Sequence, residues 1–163
     1  MTDNFVQLKK NNILKFGIKD ENGKSTGEIL EFDLEDIELP LKYQELIEKD
    51  KKNREWARNQ LVIIDKRQDV KGKKLLSKNQ EDEIKVANEF FKKEVEVYNM
   101  FLGENGVQKL LNGRKLGWTT LQEIDDIIEE FIAPKLQITE QKIRDKIKEK
   151  YNQALNRNKD VLK

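Results

Sequence analysis

The spacing of apolar residues changes period along the chain, and each change marks an element. Ile13, Phe16 and Ile18 begin a short alternating run, and Glu28-Ile-Leu-Glu-Phe-Asp-Leu alternates polar and apolar side chains. Between them, Asp20-Glu-Asn-Gly-Lys-Ser-Thr-Gly27 collects turn formers, with Asn22-Gly23 the strongest hairpin dipeptide. The pattern predicts a β-hairpin. A lone hairpin is marginal in water, so it must pack on a helix or pair with another chain's edge.

Pro40 suits the first turn of a helix. Tyr43, Leu46, Ile47, Ala57, Leu61 and Ile64 then recur at helical spacing to about residue 65, with the charged stretch Glu48–Arg54 interrupting the inner face. Gln68 to Lys74 has no period and reads as an exposed loop. Ser77 predicts the N-cap of a second helix. Along it Ile84, Ala87, Phe91, Val95, Tyr98 and Leu102 form one stripe, and Val86, Phe90, Val97 and Phe101 a second beside it. So wide an apolar arc places this helix at the centre of the core, anchored by Phe90-Phe91.

Four of the eight glycines fall between Gly103 and Gly117. Leu102-Gly-Glu-Asn-Gly106 predicts a helix C-cap and a tight turn, Val107–Leu111 barely one helical turn, and Asn112-Gly113 its close. Thr120 with Glu123 forms a capping box ahead of Ile124, Ile127, Ile128, Phe131 and Ile132, and Pro134 ends or kinks that helix. Thr139 caps a last helix, with Ile143, Ile147, Tyr151, Ala154 and Leu155 on one thin face. The expected fold is α+β and mostly α-helical: an N-terminal β-hairpin, then about four helices, the last charged and amphipathic. Residues 1–137 are expected to form a single domain, with a charged C-terminal helical extension over 138–163.

Composition narrows the function. Among 163 residues, 39% are charged and only 36% hydrophobic, enough for one modest core with a part extended or buried in an oligomer. No run approaches the ~18 apolar residues of a membrane span, and the first residues hold no apolar signal-peptide core. A soluble intracellular protein without a membrane partner is expected. The chain has no Cys and no His. Disulfides, thiolate metal sites, thiol nucleophiles and the commonest general base are therefore excluded. No enzyme, catalytic residue, metal or cofactor is expected.

The formal net charge of +1 hides a sorting of charge along the chain. Glu28–Asp50 holds nine acids and two lysines, a net of −7; Lys51–Lys78 holds ten bases and three acids, a net of +7. Thr120–Ala133 has five acids and no base, and Thr139–Lys163 eight bases and four acids. Such blocks are either solvated faces or surfaces that pair within a fold or between copies, so a homo-oligomer is expected.

Three candidate sites give way to simpler readings. Gly17-Ile-Lys-Asp-Glu-Asn-Gly23-Lys24-Ser25 is close to a phosphate loop, but five residues separate the glycines instead of four, and a strand follows where that site needs a helix N-terminus. Glu123, Asp126 and Glu130 share a helix face that reads as solvated or partner-facing. The basic stretch Lys66–Lys74 has no interleaved aromatic, and acids balance it upstream, so nucleic acid is not an expected partner. Trp118, after Gly117, reads first as core packing and second as a partner contact, and Trp56 is open to the same two readings.

The run Tyr98-Asn-Met-Phe-Leu-Gly-Glu-Asn-Gly106, followed by Lys109-Leu-Leu-Asn-Gly-Arg114, resembles the centre of tail assembly chaperones of siphophages and prophages of Gram-positive bacteria. The preceding order, a hairpin with acidic Phe-Asp-Leu and then helices, is also similar. The resemblance covers residues 13 to 137; the charged helix from Thr139 extends beyond it, and Gly113-Arg114 lacks the intervening residue of some relatives. It implies a non-enzymatic protein of the infected cell's cytoplasm that binds the tape-measure protein, helps recruit the major tail protein, and is missing from the mature virion. It also implies that Leu102, Gly103, Glu104, Gly106, Leu110, Gly113 and Arg114 form a structural turn and contact region. Two other readings suit the same sequence. One is a small phage inhibitor of a host defence or nucleic-acid enzyme, its block Glu28–Asp50 mimicking phosphates. The other is a permanent virion component.

Overall fold

Asn22-Gly23 turns the chain where the pattern places it. In a computed structural model of the protein, strands β1 (Ile13–Lys19) and β2 (Ser25–Asp33) pair antiparallel, with Leu14 opposite Phe32 and Phe16 opposite Leu30. The Asp20 carboxylate accepts the N–H groups of Asn22 and Lys24, both at 2.9 Å, and Gly23 takes φ 77°. The register breaks between Gly17 and Lys19, where residues 26–28 of β2 stand opposite Ile18 and Gly27 takes φ 81°. Phe16, Ile18, Leu30 and Phe32 are buried on one face, while Lys15 and Glu31 pair on the other at 3.7 Å.

The structure describes residues 4–8, 12–138, and 142, 144, 145, 147–149, 152, 153 and 155. Among the described residues helix outweighs strand, 60% against 11%, so the fold is α+β and mostly α-helical. The chain forms two compact units, Met1–Leu121 and Gln122–Lys163.

In the first unit, helices α1 (Leu39–Asp65) and α2 (Lys78–Leu102) run antiparallel. Side-chain bonds tie the two helices and their connecting loop together. Asn79 donates to the Ile64 carbonyl at 3.1 Å, and Arg67 donates to Asp82 at 2.8 Å. Ser77 and Gln80 close a reciprocal capping box at the start of α2. Of the two apolar stripes on α2, the buried one holds Phe90, Val97 and Phe101, joined by Tyr98 and Leu102. It faces Leu46, Ala57 and Ile64 of α1, which are also buried. Phe101 reaches Phe32 at 5.5 Å and Tyr43 at 5.4 Å between ring centres, so the end of α2 covers the hairpin face.

Glu94 lies on that same stripe and is fully buried. Its Oε1 accepts from Asn53 at 2.8 Å, while Oε2 has no donor. Burial, then the hydrogen-bonded and negatively charged Asp50 beside it, push the Glu94 carboxyl up to about 9. A proton on Oε2 supplies the missing donor and points it at Asp50, whose oxygens accept from Arg54 Nε at 2.9 and 3.1 Å. The charged interruption Glu48–Arg54 is thus the counterpart of a buried acid, not only a solvated face.

The second unit begins inside α4 (Trp118–Asp126), which continues into a π-helical segment, Ile127–Ile132, and a short α5 (Ala133–Lys135). Pro134 has no N–H to offer the carbonyl of Glu130, and the helix widens ahead of it. Ala133 donates five residues back, to Ile128, and Ile138 five back to Ala133 at 3.1 Å. Ile124, Ile128, Ile132 and Leu136 are buried at four-residue steps. The expected start of this helix is corrected: it begins at Trp118, and Thr120 sits in the first turn. There its hydroxyl accepts the N–H of Gly117 at 2.7 Å, the reciprocal half of a capping box, so no cap is needed at Thr120. Of the predicted last helix, Thr139, Ile143, Tyr151 and Ala154 lie outside the described residues; Ile147 and Leu155 are helical and exposed.

Because the folded Glu94 carboxyl titrates above its unfolded value of 4.5, its contribution to stability is complete below that value and lost as pH rises toward about 9. The lowered values of Asp36, Asp69 and Asp82 act in the opposite sense and only below about pH 4. Glu94→Gln keeps the Asn53 bond and donates to Asp50 without titrating. It is expected to raise stability at pH 8 by about 2 kcal/mol and to flatten the decline. Urea unfolding of both proteins at pH 5 and pH 8 checks this.

Candidate functional site

Leu102–Arg114 is built by four residues with positive φ. Gly103 (φ 97°) ends α2, with its N–H on the Asn99 carbonyl at 2.9 Å. Asn105 (φ 57°) then turns the chain into α3 (Gly106–Leu111), and Asn112 (φ 48°) with Gly113 (φ 84°) ends it. Asn99 braces the turn, its Oδ1 accepting from Val107 N–H at 2.8 Å and its Nδ2 donating to Gln108 at 3.0 Å. Lys109 reaches the Ile29 carbonyl of β2 at 3.2 Å. Gly106 is required by space, because a Cβ there stands 2.5 Å from the Cβ of Leu102 and 3.6 Å from Leu30. The turn is thus packed and hydrogen-bonded against the hairpin and the end of α2.

The structure places the predicted site residues unevenly. Leu102 and Gly106 are buried and in contact, and Leu110 is half-buried. Gly103, Glu104, Gly113 and Arg114 are exposed. Trp118 is elsewhere, stacked on Phe90 at 5.2 Å and edge-on to Phe91 at 4.8 Å. Those residues lie three turns up α2 from Leu102, about 18 Å away along the helix.

Trp118 leaves 57% of its surface exposed and forms the wall of an open groove of about 410 Å³ along α1. Ala57, Leu61, Val62 and Phe90 supply its apolar lining. Arg54 and Arg58 stand at one end and Asp65 at the other. Sequence reasoning named Ala57, Leu61, Phe90 and Trp118 but not Val62 or the groove, nor Glu94 and Asn53. The available signal was Glu94 itself, a charge at the four-residue step between Phe90 and the next apolar turn. Trp56 carries Lys93 Nζ over its ring at 3.5 Å.

The remaining candidates stay apart. Gly17–Ser25 is the hairpin turn just described. Glu123, Asp126 and Glu130 are exposed, and among the described residues no three His, Cys, Asp or Glu side chains converge as metal ligands do. Within Lys66–Lys74, Arg67 and Lys74 pair with Asp82 and Glu81. No described helix is long and apolar enough to cross a membrane. The chain matches no protein-family model, no curated protein and no solved structure.

The turn's close packing has a measurable signature. Gly106→Ala forces the backbone-anchored Cβ of Leu102 aside and is expected to cost about 2–3 kcal/mol in denaturant unfolding. Gly117→Ala meets nothing within 4 Å and has no positive φ, and it should change stability by less than about 1 kcal/mol.

Proposed function

We propose that this protein is a non-enzymatic assembly chaperone of the siphophage tail type. In this reading it acts in the host cytoplasm, holding the tape-measure protein soluble and helping to recruit the major tail protein. The observation that carries the reading is the Leu102–Arg114 turn. Its backbone is specified residue by residue, more tightly than a link between two helices requires, and it carries exposed Glu104 and Arg114 on a fixed base. Exposed large apolar side chains such as Ile63, Ile84 and Phe131, set in a highly charged surface, suit transient contact with an apolar helical client.

Co-expression with the tape-measure protein tests the reading. The expected result is co-purification and a larger soluble fraction of the client, both reduced by Glu104→Arg with Arg114→Glu. No co-purification together with unchanged client solubility would overturn it.

A further inference from the structure

The two most strongly charged stretches of the chain adjoin within α1, Glu28–Asp50 at net −7 and Lys51–Lys78 at net +7. Each also holds exposed apolar surface. Leu34, Ile37 and Leu41 are 45%, 81% and 63% exposed, three large apolar side chains set among Asp33, Glu35, Asp36 and Glu38. The segment is already shaped, since the Asp33 and Asp36 carboxylates each accept the backbone N–H two residues on at 2.9 Å. Lys42 bonds Asp36 at 2.7 Å, which still leaves four acids to one base over residues 33–42. The groove is the counterpart: an apolar wall with Trp118 and Val62 partly open to solvent, exposed Arg58 beside an Arg54 already held by Asp50 at one end, and Asp65 at the other.

We propose that the acidic, apolar segment Asp33–Leu41 of one copy docks in the Arg58–Trp118 groove of a second copy. Charge complementarity selects this occupant. The segment's carboxylates meet the exposed Arg58, while Ile37 and Leu41 meet Leu61, Val62 and Trp118. A copy cannot fill its own groove, because Leu41 and Arg58 are separated by 17 residues of one continuous helix, about 25 Å. Each copy therefore offers one segment and one groove at different places. The contact is heterologous and repeats head to tail, as a chain or a closed ring. It goes beyond the chaperone reading and holds whatever client meets the turn.

Sedimentation velocity over a wide concentration range, with two surface variants, tests it. Wild-type protein is expected to form a concentration-dependent series of oligomers that weakens at ~0.5 M salt, where charges are screened beyond a few Å. Arg58→Glu with Val62→Ser removes the groove, and Ile37→Ser with Leu41→Ser removes the segment. Each variant, checked for unchanged helical circular dichroism, should associate at least roughly ten-fold more weakly than wild type. Mixed in equal amounts, they should form a one-to-one dimer and nothing larger, because one intact segment meets one intact groove. A wild-type monomer throughout, full association by either variant, or a mixture that does not dimerise overturns the proposal. A monomer whose Trp118 fluorescence responds only to the tape-measure protein also overturns it, by giving the groove to the client.

Discussion

The antiparallel pairing of α1 and α2 is the constraint on which the rest of the first unit depends. The α2 face of Phe90, Val97 and Phe101 is buried against α1, and the end of that face, through Phe101, also covers the hairpin. The turn after Leu102 takes its shape from being pressed between the end of α2 and Leu30. The groove exists because Phe90 and Phe91 hold Trp118 beside α1. Through the middle of this interface runs a buried carboxyl, Glu94, with Asn53, Asp50 and Arg54 as its neighbours on α1. An apolar side chain of the same volume is commonly no less stabilising at such a place. The buried polar group does favour one register of the two helices, since only that register brings Asn53 to Glu94.

Elements with a strong local signal were legible in the sequence. Asn22-Gly23, Pro40, Ser77 and the glycines after Leu102 act through backbone geometry within a few residues, and each sits where its chemistry requires. Two features were not legible, for different reasons. The helix start at Trp118 was hidden because Thr120 satisfies a capping group from inside the first turn, which looks in sequence like a cap. Glu94 was hidden because a charge on an apolar stripe ordinarily marks the edge of a buried face. Only the facing Asn53 and Asp50, some 40 residues away, show that this one is enclosed.

The candidate site was half legible. Glycine spacing pointed to the Leu102–Arg114 turn, whereas the groove depends on α1 lying beside Trp118, a contact no local pattern encodes. Trp118 is not a core residue: one ring face packs on Phe90, and 57% of its surface is open to solvent. The sorted charges gain a spatial meaning from the length of α1. Opposite blocks adjacent in sequence meet at the Asp50–Arg54 pair, but Asp33–Glu38, ahead of α1, and Arg58 on it lie too far apart to pair within the molecule. Screening by salt or pairing with another copy is what remains to them.

That separation of complementary patches is the central claim, and site-directed cross-linking tests it most directly. The chain has no cysteine, so thiols can be placed without background. With Ile37→Cys and Val62→Cys in the same chain, a short bifunctional thiol reagent is predicted to give a ladder of dimer, trimer and higher species, while neither single variant gives one. No ladder, or a pattern from the double variant that stops at a dimer, would contradict the account.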